Sequence, residues 1–265
     1  MSDEKKSHIP GIYNYCDRWC ERCKFTSRCL LFTNESKITT YQLLNNGELP
    51  DFKEIFNFHA EDDDNNSSIF DDYDDDDGFE PGSDEDDDPF INDLPNFEDK
   101  KYEENRKQRD ETVKQNILVK LSDEYFNNAH SLLENLNEKY KLHTNVIDKE
   151  KDENSLKLYE GYEVVAWFHM FIFVKIRRAL SGKWSYDRER DEEMKDIDAY
   201  DMNGTAKIAL IAIESSINAL NKLFDAVVEF KNEVTALLVT AGKLLNEMEK
   251  EFPDCRKFVR PGLDE

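Results

Sequence analysis

The sequence predicts an all-α protein, a four-helix bundle preceded by a small cysteine-rich metal-binding segment and a disordered acidic linker. Three observations carry that expectation. Apolar residues recur at three- and four-residue steps from about residue 100 to residue 251, and no stretch alternates as a strand does. Nineteen acidic residues and no Lys or Arg fall between Glu61 and Asp99. Four of the five cysteines, Cys16, Cys20, Cys23 and Cys29, lie close together near the start. The chain therefore divides into residues 1–60, 61–99 and 100–265.

At 265 residues the chain is long enough to bury a real core. Its formal charge of −24 belongs mostly to one place, because leaving out residues 61–99 leaves only −5. The opening, MSDEKKSHIPG, has no apolar stretch of the kind that leads a secreted chain. The longest apolar run, Val164–Val174, is interrupted by His169 and is about half as long as a bilayer crossing requires. The expectation is a cytoplasmic protein with no membrane partner, whose thiols stay reduced.

Residues 1–60 hold the cysteines and short apolar clusters such as CLLF. Residues 61–99 repel one another, carry few aliphatic side chains and are punctuated by Pro and Gly, so they cannot offset chain entropy by burial.

The first bundle helix is expected from about Asp110 to Lys141. Val113, Ile117, Leu121, Tyr125, Ala129, Leu132, Leu136 and Tyr140 line one face. The second runs from about Ser155 to Leu180, with Ser155 as its cap and Ser181–Gly182 as its end. Between Tyr162 and Val174 only Glu163 and His169 are ionisable, which places this helix in the middle of the packing. After a charged loop the third helix is expected to begin near Thr205, burying Ile208, Ile211, Ala212, Ile217, Leu220, Leu223, Phe224 and Val227. Lys207, Glu214, Asn218 and Asn221 form its polar stripe. A break near Lys231–Asn232 opens the fourth, which stops before Pro253. Four such amphipathic helices bury their stripes most simply as a bundle.

The cysteines read C-x3-C-x2-C-x5-C. On a helix, positions i, i+4 and i+7 share a face, with Cβ atoms roughly 5–6 Å apart. Tetrahedral zinc, with bonds of about 2.3 Å, needs its sulfurs within roughly 4 Å of one another. A four-iron cube takes one thiolate at each corner and accepts the wider spacing. Structural zinc sites also favour two C-x2–4-C knuckles held apart by a loop, and only one C-x2-C occurs here. The spacing therefore points first to a [4Fe–4S] cluster on Cys16, Cys20, Cys23 and Cys29, structural or electron-carrying, and second to zinc. In the zinc alternative the segment staples an interaction module whose acidic linker recruits a basic partner. Arg18, Arg22, Lys24 and Arg28 outweigh Asp17 and Glu21 nearby, offsetting part of the charge of four thiolates.

The first three cysteines also match the spacing of radical S-adenosylmethionine enzymes, but the chain offers no strands for their barrel. Cys255 reads as a solitary thiol. His130 and Glu134 share a face of the first helix, whereas Glu163 and His169, six apart, do not, so no di-iron pattern forms. DAYDMNGTAKIAL fails as a calcium loop: aligned on Gly204, its first and last ligand positions are Ala199 and Leu210. Asp201, Asn203 and Thr205 read instead as capping residues. No phosphate loop, nucleophile elbow or H-E-x-x-H is present, so no catalytic residue and no reaction is assigned. Basic residues are scattered, which argues against nucleic-acid binding by the bundle.

IPGIYNYCDRWCERCKFTSRC, together with the closing RPGLDE, resembles a group of uncharacterised bacterial proteins that share this opening and ending. The resemblance spans most of the chain, the acidic segment excepted. It implies a bacterial, cytosolic protein and adds no functional residue beyond the four cysteines.

Overall fold

The computed structural model describes residues 8–50, 100–142 and 152–264, and the acidic segment 61–99 lies outside them. The described residues are helical, without strands. Six α-helices are present: α1 (Leu30–Leu44), α2 (Lys100–Gln115), α3 (Ile117–Tyr140), α4 (Glu153–Tyr186), α5 (Glu192–Ala226) and α6 (Lys231–Glu251). The described residues fall into two compact units, one holding residues 8, 23–50 and 100–103 and the other residues 9–22, 104–142 and 152–264. Among the described residues, no helix is long and apolar enough to cross a membrane.

In the first unit, α1 begins at Cys29, whose sulfur accepts the Phe32 N–H. It buries none of its own residues, and Leu43 and Leu44 are exposed. Its sequence has no apolar stripe to bury.

In the second unit α3, α4, α5 and α6 form the expected bundle, each packing on two neighbours. Ion pairs fix the directions. Arg177 meets Asp123 at 2.7 Å across α3 and α4, and Lys222 meets Glu160 at 2.7 Å across α4 and α5. Arg178 meets Asp201 at 2.9 Å farther along the same antiparallel pair. The core is contributed by all four helices, with Leu118, Tyr125, Ile172, Ile176, Ile213 and Leu220 among its fully buried members.

Three boundaries differ from the expectation. The first stripe is cut at Asn116, whose side chain accepts the Leu118 N–H and starts α3; Ile117, expected in the core, is then exposed at the first turn. α4 is capped by Asp152 rather than Ser155, and it runs through Gly182 to Tyr186. The charged loop shrinks to a few residues because Asp191 accepts the N–H groups of Glu193 and Met194, starting α5 a full thirteen positions before Thr205. Asp201, Asn203 and Thr205 are therefore interior helix residues, not caps. The break between the last two helices and the stop before Pro253 fall where the sequence puts them.

A further difference bears on the site. The expected segment 1–60 is divided, since residues 9–22 pack with the bundle. Ile12 and Tyr15 are buried there. The carboxyl-terminal tail closes over the same region. Phe252 and Cys255 are buried, and Phe258 lies edge-on to Tyr15, with ring centres 5.0 Å apart. Two Pro-Gly turns meet: Ile12 N–H bonds to Ile9 across Pro10–Gly11, and Leu263 N–H bonds to Arg260 across Pro261–Gly262. Gly262 has φ +67°, and a Cβ there would fall 2.5 Å from Ile9 Cγ2, so both the turn and the close approach call for glycine.

Candidate metal centre

The cysteine segment is not an α-helix. Arg18 has φ +59°, and Cys20–Arg22 and Thr26–Arg28 are single 3-10 turns. The shared face on which the [4Fe–4S] preference rested is therefore absent. Asp17 explains part of this, because its carboxylate accepts the Trp19 N–H at 3.0 Å, an Asx-type turn that competes with helix.

All four cysteines are of intermediate exposure. Cys16 and Cys20 belong to the bundle unit, Cys23 and Cys29 to the other. Cys23 Sγ accepts the Phe25 N–H at 3.4 Å, and Cys29 Sγ accepts the Phe32 N–H at 3.5 Å. Backbone N–H groups aimed at sulfur are a usual support for cysteine-ligated centres. Cys16 Sγ donates to the Tyr13 carbonyl at 3.6 Å. The donor set thus suits a thiolate-bound metal. Among the described residues, however, no three His, Cys, Asp or Glu side chains are gathered where they would hold an ion.

The bundle holds the segment on both sides of each of its first two cysteines. Tyr15 donates its hydroxyl to Asp201 at 3.2 Å, and Arg178 donates to the same carboxylate oxygen at 2.9 Å. Burial, followed by the Asp201 charge, pushes the Tyr15 phenol above its usual range. Trp19 stacks on Trp167 with centres 5.1 Å apart and planes 13° from parallel, and the Trp167 indole N–H donates to the Asp17 carbonyl at 3.0 Å. Arg22 lies 3.9 Å over the Trp19 ring and pairs with Glu163. Burial and then Arg178 push the Lys175 ammonium down.

Elsewhere the bundle brings together His130 and His169, which sequence spacing treats separately. Their ring centres are 5.9 Å apart, beside Phe126, and Glu134 sits 3.5 Å from His130 Nε2. Burial pushes the His169 imidazole down. Glu163 is spent on Arg22 instead. Cys255 is buried, and burial pushes its thiol up, as a solitary structural cysteine requires.

Trp167, Gly204 and the carboxyl-terminal tail are the residues that sequence reasoning missed. Their partners lie far away in sequence, beyond any periodicity, although the repeated Pro-Gly pair, Pro10–Gly11 and Pro261–Gly262, is a visible signal. No family model matches the chain, and no curated protein or solved structure matches it.

Proposed function

We propose that this is a metal-binding helical protein in which Cys16, Cys20, Cys23 and Cys29 take up one metal centre, in a bacterial cytosolic setting. The observation that carries the reading is the concentration of four partly exposed cysteines on one short irregular stretch, two of them facing backbone N–H groups. Continuous chain keeps all four donors tethered, so closing them on one ion costs little loop entropy. Metal sites seldom exist fully formed without the ion, and binding supplies the closing energy.

A [4Fe–4S] cluster is the first assignment, because the segment has a single C-x2-C pair rather than two zinc knuckles. When bound, such a cluster would supply electron transfer or a structural tie. Zinc is the second assignment, favoured by the tight 3-10 turns and by the N–H bonds to Cys23 and Cys29. In that reading the centre staples an interaction module, and the acidic segment 61–99 recruits a basic partner.

Protein purified without oxygen is expected to carry metal in stoichiometric amount. Iron and sulfide with a visible absorbance that bleaches on reduction identify the cluster, and zinc in a colourless protein identifies the staple. A chain that holds neither, before or after reconstitution with each, would sink both.

A further inference from the structure

Tyr15 and Trp19 each immediately precede a cysteine, and each is fixed by the bundle. The Tyr15 ring is buried against Gly204 in α5. A Cβ at Gly204 would fall 2.4 Å from Tyr15 Cε1 and 2.8 Å from Phe258 Cζ, so the ring occupies the space that any side chain at 204 would need. Trp19 is fixed by its stack on Trp167, and the Trp167 N–H holds the Asp17 carbonyl in between. Successive Cα atoms are 3.8 Å apart, so a thiol next to an anchored residue cannot travel far. Cys16 is pinned on both sides, and Cys20 on one side by Trp19 and on the other by Arg22 through Glu163.

We infer that Gly204 and Trp167, which have no part in ligation, are positioning residues for Cys16 and Cys20: the bundle presents two of the four thiols at fixed places. The inference rests on the metal-centre reading for its purpose, whereas the alkylation arm of its test does not. It also gives the two ends of the chain a common role, since Phe258 in the tail clamps the Tyr15 ring that orients Cys16.

The experiment measures residue-resolved alkylation of the full-length apo protein by N-ethylmaleimide, with zinc affinity measured in parallel by chelator competition. Gly204→Ala is expected to speed alkylation of Cys16, and Trp167→Ala that of Cys20, by roughly three- to tenfold, the equivalent of one lost aromatic contact. Cys29 is the internal control and keeps its rate. Trp167→Phe restores the ring stack and returns most of the protection. Zinc affinity is expected to fall about tenfold to a hundredfold in the two alanine variants, as when supporting groups around ligands are removed. If Gly204→Ala does not fold, Phe258→Ala releases Tyr15 from the opposite side and carries the same test. Unchanged rates at Cys16 and Cys20 overturn the inference, and so do raised rates with undiminished zinc affinity. A wild-type chain that takes up no zinc defeats the zinc reading alone, and the alkylation rates then decide positioning by themselves.

Discussion

Removing residues 1–22 is expected to lower the melting temperature of the protein by roughly 10–20 °C. Read from the sequence, the bundle should fold without the cysteine segment, since its stripes are complete. In the structure Ile12 and Tyr15 are buried against it, at 3% and 6% exposure. Burying each such side chain is worth about 1.5–3 kcal/mol, and the Trp19–Trp167 stack about 0.5–1.5 kcal/mol more. The loss is about 5 kcal/mol, and a domain of this size shifts by about 2–4 °C per kcal/mol. Helix content should survive at low temperature, because the four-helix core is untouched. Thermal melts followed by circular dichroism check this, and a truncated chain that melts with the full-length protein would show that the segment adds nothing to the bundle.

Phe252→Ala is expected to destabilise the protein by about 3–5 kcal/mol. Phe252 is 1% exposed at the carboxyl end of α6, where its N–H bonds to the Met248 carbonyl at 2.9 Å and Pro253 forbids another turn. The side chain therefore turns into the core while the backbone leaves the helix, and truncation leaves a cavity that rigid helix ends cannot fill. Val259→Ala, farther along the tail at 54% exposure, is the control and should change stability by less than about 0.5 kcal/mol. Denaturant melts of the two variants separate the cases. Equal midpoints would mean that the tail, rather than the cavity, sets the loss.

The bundle was legible because its signal is local. Leu121, Tyr125, Leu132 and Leu136 repeat at helical spacing, and all four are buried. The break before Lys231 and the stop at Pro253 were legible for the same reason. The start of α5 was not, since Ile197 and Tyr200 are exposed and no buried stripe marks that stretch as helix. Its stability comes from the Asp191 cap and from contacts to Tyr15 and Arg178, which are distant in sequence. The cysteine cluster is plain in the sequence but its local geometry is not: helical spacing alone cannot reveal the Asp17 turn or the left-handed Arg18. The anchors on α4 and α5 left no trace in either periodicity or composition, because a stack such as Trp19 on Trp167 joins residues that neither sequence neighbourhood distinguishes from ordinary core.

X-ray absorption at the metal edge reads out whether the four cysteines form the proposed centre. In full-length protein loaded without oxygen, a first shell of sulfur alone is expected, with metal–sulfur distances of about 2.3 Å. Cys16→Ser, Cys20→Ser, Cys23→Ser and Cys29→Ser are each expected to abolish that all-sulfur shell, whereas Cys255→Ser leaves it intact. A first shell of oxygen or nitrogen, or a sulfur shell unaffected by replacing any one of the four cysteines, would contradict the proposed centre.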